Sequence, residues 1–151
     1  MDAKAAKKLA EINWTYADHD SAACAELTRR ISGIGRTKGD FLTYSQLVEE
    51  VTFCLPNVDT GEPFQITEWN SLERAIIGDF LGKIAAISYL QGGFLASSLV
   101  IGVESNSPGG GLYTLARDVG LLRSRSKDHE LQFWMEQTRL ARAWYISNST
   151  D

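Results

Sequence analysis

The chain has 151 residues, 44% of them hydrophobic and 10% aromatic, with three prolines and a formal net charge of −4. That length suits a single domain, which at this size buries roughly 70% of the surface of its unfolded form and needs no cross-links. The composition excludes a disordered chain, the net charge argues against a general polyanion binder, and no window approaches the roughly 20 apolar residues of a membrane span.

Taken in chain order, the alanine- and lysine-rich residues 3–13 predict a first helix. Asp20 or Ser21 caps a second one running to about Ile31, with Ala23, Leu27 and Ile31 at helical spacing. Gly33, Gly35 and Gly39 are expected to break it. Phe41 and Leu42 read as a very short strand. Thr43 is a good N-cap for a helix from Tyr44 to about Phe53, whose buried face is Tyr44, Leu47, Val48 and Val51. Pro56 to Pro63 is a loop by composition.

Asn70 followed by Glu73 fits a capping box, with the amide oxygen taking a free N–H and the carboxylate reaching back. The helix it opens runs from Ser71 to about Leu90. Its core stripe is Leu72, Ile76, Phe80, Ile84 and Ile87, with Ile77 and Leu81 beside it. Gly78 and Gly82 put two small residues on one side, where another element is expected to pack closely. Gly92 and Gly93 end it. Residues 94–103 read as a buried strand, and 104–111 as a loop. Leu112 to Val119 predicts a short helix with Leu112, Leu115, Ala116 and Val119 inward and Gly120 as its stop. Arg123 to Lys127 is a basic link. Asp128 caps a last helix to about Ile146, its inward stripe being Leu131, Trp134, Met135, Thr138, Ala141 and Tyr145.

Two cysteines are too few for a disulfide framework. Cys24 and Cys54 both read as small buried thiols, with a Cys24–Cys54 bridge as the alternative. The opening residues lack the apolar stretch of a secretory signal, so the expected compartment is the cytoplasm.

Charge is segregated along the chain. Six acids and no Lys or Arg occupy Glu49 to Glu73: Glu49, Glu50, Asp59, Glu62, Glu68 and Glu73. Basic residues gather in Arg29, Arg30, Arg36 and Lys38, and again in Arg117, Arg123, Arg125 and Lys127. Such a pattern suits either a solvated surface of mixed sign or a basic face for phosphate or an acidic partner.

Catalytic chemistry finds little to stand on. His19 and His129 lie at helix starts among polar residues, and no Ser or Cys motif points to either as a base. No His, Cys or carboxylate spacing suits a metal, so no catalytic residue, metal or cofactor is expected. Gly109, Gly110 and Gly111 form the most suggestive loop. They would present backbone N–H groups, backed by the positive end of the helix that follows. The Lys-Ser/Thr of a nucleotide-binding loop is replaced by Leu112-Tyr113, and the spacing of a dinucleotide fold is absent. The plainer reading is a turn that needs positive φ and lets two backbones approach.

Three resemblances add expectations. Residues 30–39, with Gly33-Ile34-Gly35, resemble the hairpin of helix-hairpin-helix DNA-binding proteins, which presents backbone amides to a phosphate; Gly39 stands where that family has Ala. Phe41-Leu-Thr43-Tyr44-Ser-Gln-Leu47-Val48-Glu-Glu-Val51 resembles the strand-then-helix opening of winged-helix domains, with helix 71–90 as the groove-facing helix and 94–111 as the wing. Leu81 to Gly120, with Pro108-Gly109-Gly-Gly111-Leu-Tyr113 and a Leu-Ala helix, is similar to small bacterial proteins of unassigned activity associated with phage and other mobile elements. Phe133-Trp134 and Trp144-Tyr145 match their late aromatic helix.

The expected fold is therefore α+β and mostly helical: one domain over 1–151, with a helical arm (1–40), a winged-helix-like core with a short sheet (41–120) and a C-terminal helix (121–151). The expected function is a non-enzymatic nucleic-acid-associated protein. Arg117, Arg123, Arg125 and Lys127, with Arg29, Arg30, Arg36 and Lys38, meet the phosphate backbone, and no membrane is involved. The alternative is a protein-binding module, such as an inhibitor, immunity or accessory subunit of a bacterial or phage system. It would use the acidic segment and exposed members of Trp14, Trp69, Trp134 and Trp144. A small hydrolase or nuclease built on scattered carboxylates is the third reading.

Overall fold

A computed structural model of the chain describes residues 1–58 and 60–148. It is mostly helical with a small two-stranded sheet, an α+β arrangement. Six helices follow in order: α1 (Ala3–Ala10), α2 (Ser21–Gly35), α3 (Tyr44–Val48), α4 (Ser71–Gly92), α5 (Gly110–Asp118) and α6 (Lys127–Ser147). Strands β1 (Leu42–Thr43) and β2 (Val100–Ile101) pair in parallel, Leu42 opposite Val100. Phe53 and Phe64 form an isolated antiparallel bridge across the 51–70 connection.

α4 is the centre of the packing. Ile76, Ile77, Phe80, Leu81, Ile84, Ala85, Ala86, Ser88 and Tyr89 are all buried, so core surrounds the helix over most of its girth. Of the expected stripe, Leu72 and Ile87 sit at the margins, 43% and 39% exposed. The few polar side chains of α4 are tied down locally. The Asp79 carboxylate accepts the N–H groups of Tyr16 and Ala17, each at 2.8 Å. Lys83 pairs with Asp18 at 2.8 Å. Asn70 caps the helix through Glu73 N–H, but the Glu73 carboxylate reaches past Asn70 to the N–H groups of Glu68 and Trp69. Gly93, at φ 77°, closes the other end. This is the left-handed conformation that glycine adopts at low steric cost.

Several expectations shift on inspection. α2 runs through Gly33 and ends at Gly35, so of the expected breaks only the one at Gly33 is absent, and Gly39 beyond it takes φ 101°. Helix contacts hold it: Gly35 lies against the Tyr145 ring, where a Cβ would come within 2.4 Å. Gly33-Ile34-Gly35 is thus the last turn of a helix and not a phosphate-facing hairpin. α3 has the full capping box between Thr43 and Gln46, yet it stops at Val48 because Glu49 turns extended and Glu50 takes φ 61°. α6 starts two residues early, capped by the Ser126 hydroxyl, which accepts the His129 N–H.

The expected strand 94–103 shrinks to Val100–Ile101, preceded by a 3-10 turn over Ala96–Leu99. Side chains explain the change. Gln137 Oε1 takes the Leu95 N–H at 2.8 Å, and the Ser88 hydroxyl takes that of Ala96 at 2.9 Å while donating to the Phe94 carbonyl. These backbone groups are satisfied by α4 and α6, so no strand neighbour is required. The same contacts rotate α6: Gln137 turns inward beside Ala141 and Tyr145, whereas Leu131 and Met135, expected inside, are 48% and 62% exposed.

Candidate functional site

Segments distant in sequence meet around one large cleft of about 810 Å³. α4 lines it with Arg74, Ile77, Gly78, Leu81 and Gly82; α3 and the preceding connection contribute Tyr44, Ser45 and Trp69. The turn after β2 contributes Gly102 to Ser105, and the glycine loop and α5 contribute Pro108 to Leu112 and Leu115. The size falls in the range of small-molecule sites, and walls with more apolar than polar surface are typical of them. Gly78 is what leaves the space open: a Cβ built there meets nothing within 4 Å. Gly82 differs, because the Trp14 ring already lies against it, at 2.4 Å from such a Cβ. The expected close packing therefore holds at Gly82 alone.

The rim is held by specific bonds. The Tyr44 hydroxyl accepts the Gly109 N–H at 2.9 Å, and burial pushes that phenol above its ordinary pKa. The Tyr44 ring meets Trp69 edge-on at 6.2 Å. A Cβ on Gly109 would lie 2.5 Å from the Tyr44 oxygen. The glycine is needed for that approach, not for positive φ, since Gly109 has φ −67°. It is a side chain, not a second backbone, that comes close. α5 starts at Gly110, two residues before the expected Leu112, so Gly110 and Gly111 form its first turn. That end has no side-chain cap and no acid.

The predicted cationic residues fall into two groups. Arg117 is half-buried: it donates to the Ser124 carbonyl at 3.0 Å and pairs with the Glu130 carboxylate. Its charge is matched inside the fold. Arg123, Arg125 and Lys127 are exposed, with only the Lys127 contact to Glu130 at 4.0 Å. Arg36 and Lys38 are exposed and have no ion pair among the described residues. The two sets do not merge. Arg36 lies near Tyr145 and its neighbour Arg142 holds the carbonyls of Ile34 and Thr37, whereas Lys127 opens the other end of α6. Fifteen residues of helix separate Lys127 from Arg142, about 22 Å along the axis.

Two arginines prove structural, and one of them, Arg30, belongs to the cluster expected to meet phosphate. Arg30 donates to the carbonyls of Gln46, Leu47 and Glu49, closing the C-terminal end of α3. Arg142 does the same beyond α2 and stacks over Phe41 at 5.0 Å. Their signal in sequence is slight, because the carbonyls they cap lie far along the chain.

The four tryptophans are all half-buried and none is fully exposed. Trp14 packs on Gly82, Trp69 on Tyr44, Trp134 against Phe41 with its N–H on the Ser98 carbonyl, and Trp144 against Phe94. Of the acidic segment, Glu49, Glu50, Glu62 and Glu68 are exposed, Glu73 is engaged at the start of α4, and Asp59 lies outside the described residues. Cys24 is buried and Cys54 exposed, unbridged, so the expectation of two buried thiols holds only for Cys24. Both histidines are exposed. Among the described residues no three His, Cys, Asp or Glu side chains cluster, and the cleft is lined by a single acid, Glu104.

What sequence reasoning missed is the meeting of its own motifs. Tyr44, the Gly78/Gly82 pair and the Pro108–Leu112 loop were singled out for separate reasons, and all line one cavity. Comparison of the chain with family models, with curated proteins and with solved structures finds no match.

Proposed function

We propose that this chain is a non-catalytic binding protein that holds a small apolar molecule in the cleft between α3, α4 and α5. One observation carries the reading: a cavity of about 810 Å³ lined by Gly78, beside which an added Cβ would meet nothing within 4 Å. A cavity of that size lined by apolar groups favours an apolar occupant over water, since burying apolar surface is favourable by about 25 cal/mol per Å². The hydroxyls of Tyr44, Ser45 and Ser97 and the lone acid Glu104 make no nucleophile–base pair with a histidine, both of which lie elsewhere on the surface.

The test is direct. The neutral dye N-phenyl-1-naphthylamine should brighten on binding the protein. Gly78→Leu, which fills the space with one side chain, should weaken that binding at least tenfold while leaving the helical circular dichroism unchanged. A dye response equal in both proteins, or none in either, overturns the proposal.

A second reading, contact with a nucleic acid, keeps one supporting observation: Arg123, Arg125, Lys127, Arg36 and Lys38 are exposed and none is closely paired with an acid among the described residues. In a winged-helix domain the second helix would enter the groove. Here the polar groups of its counterpart, α4, are engaged within the chain. A duplex would instead be met along α6, its phosphates spanning the two cationic groups. Anisotropy of a labelled duplex should then fall steeply with salt, and removing Arg123, Arg125 and Lys127 together should lower the log–log slope by up to about 3. A flat signal at low salt ends this reading. A protein partner keeps the exposed Glu49, Glu50, Glu62 and Glu68 of the acidic segment, while each tryptophan offered as its anchor is half-buried against a neighbour within the chain.

A further inference from the structure

We infer that the cleft takes flat aromatic molecules of no net charge, and that Trp69 is the residue that selects them. The inference rests on the cleft-binding reading above and deepens it.

Trp69 lines the cleft, and its backbone has φ 55°, in the left-handed region. For so bulky a residue that conformation is an outlier. A turn alone is served at lower cost by glycine or asparagine. The strained residue is held at both of its backbone polar groups. One oxygen of the Glu73 carboxylate accepts the N–H groups of Glu68 and Trp69, at 2.9 and 2.7 Å. The Arg74 guanidinium donates to the Trp69 carbonyl at 2.8 Å. Strain that the surroundings hold so firmly points to a use for the side chain, and this side chain belongs to a cavity wall. Its ring meets that of Tyr44 at 72°, and Tyr44 is itself tied to the glycine loop through the Gly109 N–H. Two rings of fixed orientation therefore stand together in a lining whose other apolar side chains are aliphatic: Ile77, Leu81, Val103, Pro108, Leu112 and Leu115. An aliphatic occupant gains only from burial along these walls. A flat aromatic one gains in addition from edge-to-face or offset contact with the fixed pair. Charge sets the second limit. The lining holds one cation and one acid, Arg74 and Glu104, and Arg74 already bonds the Trp69 carbonyl and the Ser71 hydroxyl. Neither sign prevails, so a charged occupant would lose its hydration for no net attraction.

2-Naphthol and decahydro-2-naphthol share a carbon skeleton and one hydroxyl, are both uncharged at neutral pH, and differ in that only the first is flat and aromatic. Each is titrated against N-phenyl-1-naphthylamine bound to the protein. 2-Naphthol should displace the dye at a concentration roughly two- to tenfold lower, the gain expected of one aromatic contact beyond buried area. Trp69→Leu keeps the wall apolar and removes the ring, and should make the two alcohols equal. Glu73→Ala keeps the ring and releases its backbone, and should shrink the preference; a merely structural weakening would shift both alcohols alike. 2-Naphthoate and 2-naphthylmethylammonium, of opposite charge, should each compete less well than 2-naphthol. Equal displacement by the two alcohols in the unmodified protein, which needs no variant to fold, overturns the aromatic assignment while the cleft reading stands. A preference that survives Trp69→Leu does the same. A preference undiminished in Glu73→Ala overturns the positioning of Trp69 by its strained turn, and a charged naphthalene that competes as well as 2-naphthol or better overturns the neutral assignment. Failure of the dye to bind, or binding that survives Gly78→Leu, overturns the cleft itself.

Discussion

Gly78 and Gly82 sit one turn apart on α4 and do different things. The first faces open cleft, and the second makes room for the Trp14 ring. Gly78→Ala should therefore stabilise the protein, by up to about 1 kcal/mol from helix propensity, whereas Gly82→Ala forces the indole aside and should cost about 1–3 kcal/mol. Thermal unfolding of the two variants should shift in opposite directions. The spacing alone shows two small residues on one face. It does not show that a tryptophan sixty-eight positions earlier fills only one of the gaps. Asp20 teaches the same lesson. Its role as a cap is readable from its place before a helical pattern, and one carboxylate oxygen does accept the Ala23 N–H at 3.0 Å. The other holds the Cys54 N–H at 2.7 Å, a partner that no local pattern announces.

At the level of elements, helix identity was legible, as was the very short strand at Leu42, but the long strand was not. Asn70, Thr43 and Gly120 mark ends because caps and left-handed turns are local chemistry, and they lie where expected. The run Phe94 to Val103 is apolar enough for a buried strand, but its backbone is served by Ser88 and Gln137 from neighbouring helices. That arrangement depends on how α6 is rotated, which the apolar pattern misplaces: Leu131 and Met135 look more core-like than Gln137. Replacing Gln137 with Leu should keep the volume and leave the Leu95 N–H unsatisfied. The expected loss is about 1–3 kcal/mol in urea unfolding. A neutral or stabilising outcome would show that the amide does not set the position of α6.

For the molecule as a whole, segregated charge along the chain does not become a continuous cationic face. Glu26 takes Arg29, Glu130 takes Arg117, and Arg30 and Arg142 serve as caps. The cleft was the least legible feature, since it needs four segments brought together from residues 44 to 115. Alkaline pH tests the packing of α6 against α2. Burial pushes the Tyr145 phenol up to about 12, against a smaller opposing pull from Arg36, from an ordinary 10.0. Between those values the unfolded chain loses a proton that the folded chain keeps. Stability is thus full below pH 10 and falls as pH rises through the window, by up to about 3 kcal/mol for this one group. Urea midpoints at pH 9 and 11.5 should show the drop, and Tyr145→Phe should make it shallower. The small sheet has its own corollary. Leu42 and Val100 pair across fifty-eight intervening steps of chain, with α3 and α4 enclosed between them. Closing so long a circuit for two residues of ladder gains little by itself, so the ladder depends on the docked helices around it, and loosening α3 or α4 should open the strand pair together with the glycine-rimmed hollow.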